Sequence, residues 1–195
     1  MKKHFFALIS RMKYINRWGL MRNTRYETLS EHSFEVAVTA HALALIKNEV
    51  FGGNLNADRA AVLALYHDAP EILTGDMPTP VKYYNEQTKR AYDEVENTSI
   101  ERLLEMLPEE LKGAYDAVLV KKEEDAYLWR LVKAADTINA LIKCIEEEKS
   151  GNREFAGAKK GIEKKVCAID LPEVEYYLKH FLPSFSLTLD EHTHA

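Results

Sequence analysis

The sequence predicts an all-α protein with a single core, and three observations carry that prediction. Apolar residues recur at three- and four-residue intervals along nearly the whole chain, the pattern of helices that bury one face. No stretch alternates polar and apolar residues over the length a half-buried strand needs. The 195 residues, 46% of them hydrophobic, suffice to bury one sizeable core, so residues 1–195 are expected to form one domain.

The elements follow in order. A first helix is expected over roughly residues 3–15, then an irregular Arg17-Trp18-Gly19 segment and an exposed basic stretch holding Arg22 and Arg25. Ser30 reads as the N-cap of a helix reaching about Asn48, with Glu31 complementing its first turn. His32 shares the inward stripe of that helix with Val36, Thr39, Ala40 and Leu43. After the turn cluster Phe51-Gly52-Gly53-Asn54, Asn56 caps a helix expected to run to Leu73. Pro70 should kink it, because proline lacks the N–H owed to the carbonyl of Tyr66. The segment Thr74 to Pro80 is a loop stiffened by two prolines, and residues 81–107 read as one long charged helix stopped by Pro108. A long helix over residues 125–148 sets Trp129, Val132, Ala135, Asp136, Asn139 and Ile142 near one buried stripe. Helices at about 153–168 and 172–182 precede an irregular tail from Pro183.

Charge and composition narrow the function. A net charge of -5 and a sequence pI near 5.8 give no general attraction to nucleic acid or an anionic membrane, so any phosphate must be bound locally. Cys144 and Cys167 have no CxxC spacing and fall in helical stretches, which is thiol usage suited to a reducing compartment and a structural role. Arg11, Lys13 and Arg17 interrupt any signal-peptide core, and no uncharged run approaches the roughly 18 residues of a spanning helix. A soluble cytoplasmic protein is expected.

The chemistry lies in the order H…HD…D, formed by His32, His67, Asp68 and Asp136. Two imidazoles and two carboxylates can hold one divalent cation, and room for water alongside them favours octahedral coordination over a closed structural zinc. Burying the two carboxylates among apolar helix faces costs several kcal/mol, on the order of what one cation offsets, since no arginine is expected beside them in the helical interior. No histidine occurs between Asp68 and Asp136, where a second metal would need ligands, so one metal is expected. His4, His41, His180, His192 and His194 lie outside the set; His41 reads as structural and the last two as part of a polar tail. Glu71 lies four residues after His67 and can share its face, placing a third carboxylate beside the dyad.

The strings INRWGLMRN, SEHSFEVA, YHDAPEILTGDMPTPVKYYN, LVKAADTINALIKC and FLPSFSLTLDE resemble, over nearly the whole chain, the bacterial 5'-deoxynucleotidase family called YfbR, within the HD-domain phosphohydrolase superfamily. The resemblance implies an HD-domain helical bundle and hydrolysis of deoxyribonucleoside 5'-monophosphates to deoxynucleosides and phosphate. It implies one divalent metal per subunit, cobalt, manganese or copper ahead of magnesium, zinc, nickel or iron, and a homodimer without nucleic-acid or membrane partners. Matched to its motifs, His32, His67, Asp68 and Asp136 are the metal ligands, while Glu71, Asp76 and Arg17 are the catalytic residues. Arg17 orients the phosphate, and Trp18, His32, Asp68, Asp76, Met77, Pro78, Thr79 and Asp136 complete the substrate contacts. Gly19, Pro70 and Met77 depart from the family's common choices without removing a functional group; Gly19 could loosen the Arg17-Trp18 loop and Pro70 could reposition Glu71. Whether Glu71 gives or takes the proton is open at this level. So are two other readings: hydrolysis of nucleoside triphosphates or cyclic dinucleotides, and a scaffold that holds metal for stability alone.

Overall fold

The structure, a computed structural model, describes residues 3–82 and 84–193, so His194 of the expected polar tail lies outside the described residues. No strand occurs among them, only an antiparallel bridge between Asn16 and Thr28. The helices are α1 (Phe5–Ile9), α2 (Leu29–Phe51), α3 (Ala57–Tyr66), α4 (Glu71–Thr74), α5 (Thr79–Lys82), α6 (Glu86–Glu105), α7 (Glu109–Leu119), α8 (Ala126–Lys149), α9 (Ala156–Cys167), α10 (Pro172–His180) and α11 (Leu189–Thr193). None is long and apolar enough to cross a membrane.

Several boundaries move from their expected places, each for a local reason. α1 gives way at Ser10 to a 3-10 turn ending at Tyr14, so the first helix tightens rather than continuing. Thr28, not Ser30, caps α2: its hydroxyl accepts from the Glu31 N–H while Glu31 accepts from the Thr28 N–H, a full capping box. At the other end Gly52 takes the left-handed conformation, φ 67°, and its lack of Cβ lets α2 run through Phe51. Asn56 caps α3 as expected, but the helix stops at Tyr66, before the histidine-aspartate pair. Pro70 therefore heads the short α4 instead of kinking a longer helix, a position where its missing N–H costs nothing. Asn85 caps α6 by accepting from the Thr88 N–H, so that helix begins later than its periodicity suggests, with α5 separated from it. As far as Thr193 the tail is not irregular: it holds a 3-10 segment at Leu182–Ser186 and then α11.

The main core lies where α2, α3, α8 and α10 meet, around Leu43, Leu63, Leu131, Ile138 and Val174. A smaller cluster joins Phe5, Ala69, Leu103, Leu107 and Leu119 beneath α1, α6 and α7. Ala64 belongs to the first cluster and Ala69 to the second, so the turn between them is clamped from both sides. That turn holds His67 and Asp68. Arg59 pins the start of α3, donating to Asp125 Oδ2 at 2.6 Å and to the Ala117 carbonyl at 2.6 Å.

The cap assignment is directly testable. Thr28→Ala should lower unfolding stability by about 1 kcal/mol and Ser30→Ala by less than about 0.5 kcal/mol, measured by denaturant titration. The reverse order would restore Ser30 as the cap.

Candidate active site

Three helical segments and one loop deliver the site. His32 lies in the first turn of α2, directly after the Thr28 cap, and is fully buried. His67 and Asp68 occupy the tight turn after α3, in which the Ala69 N–H donates to the Tyr66 carbonyl and the Glu71 N–H to the Asp68 carbonyl. Asp136 projects from the middle of α8. The fourth contributor, residues 15–28, is tied at its base by the Arg17 N–H donating to the Glu27 carbonyl at 2.9 Å and the Leu29 N–H to the Ile15 carbonyl at 2.8 Å.

His32, His67 and Asp68 each offer a ligand atom, and these atoms all lie within 4.8 Å of one another. Asp68 Oδ2 is 3.1 Å from His67 Nε2 and 3.6 Å from His32 Nε2, while Asp136 Oδ1 is 3.2 Å from His32 Nε2. His67 Nδ1 lies 2.7 Å from the Ala64 carbonyl, which holds the ring so that its Nε2 lone pair faces the cluster. The buried Nε2 atoms of both histidines have no hydrogen-bond partner among the described residues. Buried, unsatisfied imidazole nitrogens aimed at carboxylates are the donor set a divalent cation takes, so these residues fit one.

Arg17 overturns the expectation that no arginine neutralises the carboxylates. Its guanidinium reaches in from the loop, with Nη1 3.3 Å from Asp68 Oδ2, Nη2 4.0 Å from Asp136 Oδ1 and Nε 3.7 Å from Glu27 Oε2. Burial opposes its charge, yet Asp68, Asp136, Glu27 and Asp76 together raise its pKa. Trp18 next to it has φ 60°, a left-handed conformation costly for an indole residue. Its N–H donates to Asp76 Oδ2 at 3.2 Å and its indole N–H to Glu27 Oε2 at 2.9 Å. Asp76 thus joins the loop after α4 to the Arg17 loop. Met77 and Pro78 are half-buried beside it, and Thr79 is exposed at the start of α5.

Glu27 is the residue that reading the sequence missed. Its carboxylate touches three functional side chains at once, since Oε1 also lies 3.3 Å from His32 Nδ1. Burial works against its charge, but His32 and Arg17 hold it below the ordinary carboxylate range. A glutamate five residues before a helical histidine carries no distinctive spacing, so only the fold of the loop reveals it.

The site sorts its carboxylates by environment. Burial raises every one of them, but the imidazoles of His67 and His32 hold Asp68 at about 2, and His32 with Lys133 keeps Asp136 well below its usual value. Glu71 goes the other way. Only 8% exposed, it is pushed up to about 9, first by burial and then by the charges of Asp68 and Asp76. Its Oε2 is buried without a hydrogen-bond partner among the described residues. One protonatable carboxyl therefore stands beside two ionised ones.

The chain is similar to known proteins both in sequence and in fold. Residues 4–185 match the family described as 5'-deoxynucleotidase YfbR-like. The 5'-deoxynucleotidase of Erwinia tasmaniensis is 52% identical over 188 residues, covering 96% of this chain and 95% of that protein. A 5'-deoxynucleotidase of Yersinia pestis is 51% identical over 192 residues, with 96% and 95% covered. Among solved structures, an HD-domain phosphohydrolase from Listeria innocua superposes with a TM-score of 0.82 at 22% identity, covering 97% of this chain and 92% of that one. The cyanophage S-2L HD phosphohydrolase bound to dA and one catalytic Zn2+ gives a TM-score of 0.66 at 19% identity, with 93% and 96% covered. These two structural likenesses establish the helical fold.

The raised Glu71 pKa has a measurable consequence in chelated protein. Its folded value near 9 exceeds the ordinary 4.5, so the folded state retains a proton that the unfolded state releases. The stability this contributes is complete below the ordinary value and lost as pH rises through the folded one. Glu71→Gln removes the titration, so the melting temperature of this variant minus that of the wild type should grow between about pH 4.5 and about pH 9. A difference that does not change with pH would rule out the shift.

Proposed function

The chain belongs to the YfbR-like 5'-deoxynucleotidase family, and from that premise we propose how its residues hydrolyse deoxyribonucleoside 5'-monophosphates to deoxynucleosides and phosphate. One observation carries the reading. The unsatisfied Nε2 atoms of His32 and His67 converge with Asp68 beside a buried arginine and a protonatable glutamate. We assign His32, His67, Asp68 and Asp136 as the ligands of one divalent cation per subunit, with cobalt, manganese or copper preferred. When bound, such a cation supplies Lewis-acid activation of phosphate and water, lowering a water pKa from about 15.7 towards about 7 at favourable sites.

The chain's own residues do the rest. Phosphate monoester hydrolysis is among the slowest uncatalysed reactions, so charge, water and leaving group must all be handled. Arg17 turns its planar fork from the carboxylates to the phosphate oxygens, a bidentate geometry a lysine would not match. Glu71 is assigned the proton transfer to the departing 5' oxygen, and the burial of its carboxyl supports that direction. Asp76 anchors Trp18 through the backbone and can hold the sugar 3'-hydroxyl. Trp18, fixed by Glu27 and packed on Phe155 at a centroid distance of 5.3 Å, walls the sugar, with Met77, Pro78 and Thr79 opposite. A ribose 2'-hydroxyl would lose water there without gaining a partner, a cost of about 1–3 kcal/mol.

We further propose a single catalytic unit across the chain and a homodimer. Phe34, Val38 and Leu45 leave an exposed apolar stripe along α2 that a second copy could cover. Two free thiols, Cys144 buried and Cys167 exposed, are consistent with the reducing cytoplasm.

Phosphate release from paired deoxyribo- and ribonucleoside 5'-monophosphates, after chelation and add-back of single metals, tests class, sugar and cation together. Chelation should abolish turnover, and cobalt, manganese or copper should restore it. Deoxynucleotides should be favoured by about tenfold or more, as a 1.4 kcal/mol difference gives; equal turnover of dAMP and AMP defeats the sugar assignment. Glu71→Ala should bind metal and substrate but lose about 10²–10⁴ in kcat, whereas Asp68→Ala should lose the metal itself. Full activity in either variant would reject the role given to that residue.

A further inference from the structure

A second buried carboxylate holds the far end of the Arg17 loop, and no step above uses it. Glu147, in the last turns of α8, has a side chain only 1% exposed. Its Oε2 accepts from the Thr24 N–H at 2.9 Å, the Thr24 hydroxyl at 2.7 Å and Asn152 Nδ2 at 2.7 Å. Oε1 accepts from the Lys143 ammonium at 2.5 Å and more weakly from the Arg25 N–H at 3.4 Å. Lys143 in turn donates to the Arg25 carbonyl at 2.6 Å, and Asn152 to the Arg22 carbonyl at 2.7 Å. A carboxylate this buried is costly unless its lone pairs are satisfied, and here the Thr24 and Arg25 N–H groups share that task with the Thr24 hydroxyl, Asn152 and Lys143.

The bonds continue towards the site. Asn23, next to Thr24, donates through Nδ2 to the carbonyls of Met21 at 2.9 Å and Trp18 at 3.3 Å. Phe155, in the 3-10 turn just past α8, is fully buried against the Trp18 ring, and the Lys143 ammonium lies 5.7 Å from the Phe155 ring centroid. Glu147 lies eleven residues after Asp136 on the same helix, three turns on and on the same face, about 16 Å along the axis.

We propose that Glu147 is a positioning residue for the phosphate arm, setting Arg17 and Trp18 against the same rigid helix that carries Asp136. The strained Trp18 backbone explains why such a clasp is needed: a left-handed tryptophan persists only where its surroundings over-determine it. The arm and the Asp136 carboxylate then share one reference frame, so α8 sets the distance between the phosphate fork and the metal ligands.

The proposal rests on the hydrolase reading above, and its test separates the two. In metal-loaded Glu147→Gln, KM for a deoxyribonucleoside 5'-monophosphate should rise about tenfold or more with a smaller change in kcat, the loss expected when one charge-assisted contact is removed. The metal add-back midpoint should stay within about twofold of wild type, because Glu147 touches no proposed ligand. In a Trp129→Phe background, where Trp18 is the remaining indole, acrylamide quenching should increase on adding Glu147→Gln. Thr24→Val should shift KM and quenching in the same direction by less, and it decides the matter where Glu147→Gln does not fold. A variant that melts earlier but keeps wild-type KM, kcat and Trp18 quenching in the folded protein overturns the proposal. If the wild type hydrolyses no nucleotide, the hydrolase reading fails, and the quenching comparison still decides whether Glu147 orders the arm.

Discussion

Four acidic side chains, Glu27, Asp68, Glu71 and Asp136, are packed into one seam between α2, the turn after α3 and α8, and the rest of the site answers to that burial. Taking an ion from water costs several kcal/mol even after relaxation, on the order of a whole domain's net stability when summed over a few uncompensated groups. The seam is tolerable because Arg17 meets three of the four carboxylates. A guanidinium cannot shed its proton, so it remains a fixed positive charge in a place that would neutralise a lysine. The same carboxylates and imidazoles leave a vertex suited to a second positive charge, a divalent cation.

This burial also divides the acid-base work. Asp68 and Asp136 keep their charge because imidazoles face them, whereas at Glu71 burial and the charges of Asp68 and Asp76 outweigh Arg17 and Lys82. Neighbouring groups of one chemical type thus acquire opposite protonation states from their surroundings, which is what a site needs in order both to bind positive charge and to give up a proton. Arg17 couples the two halves. Facing carboxylates in the structure and phosphate in the proposed reaction, it exchanges one set of anionic partners for another at little cost in charge burial.

Much of the scaffold was legible in residue patterns. Helical periodicity identified α2, α6 and α8, and Asn56 and Gly52 marked ends where the backbone obeys local chemistry. Local chemistry also misled where two residues could do one job. Ser30 and Thr28 are both competent caps, and the Glu31 side chain reaching back to the Thr28 N–H settles between them. Pro70 alone suggests a kink within a helix, but the turn is set earlier, where the apolar contacts of Ala64 and Ala69 pull the chain into two different clusters.

Among the candidate residues, the H…HD…D order marked out His32, His67 and Asp68 as metal-ligating types, and they do lie together, with Asp136 beside His32: α2 and α8 present His32 and Asp136, and the turn after α3 brings in His67 and Asp68. The long-range contacts around that cluster lay outside any periodicity. Arg17 comes within reach of Asp68 fifty-one residues away, and Glu147 grips Thr24 across 123, through loop contacts that no spacing rule encodes. Residue types and helix faces follow from interactions a few positions apart, and those are written locally in the chain. Which charges share a seam, which glutamate holds a proton and which helix anchors the phosphate arm depend on desolvation and long-range contact, and those exist only once the helices have packed.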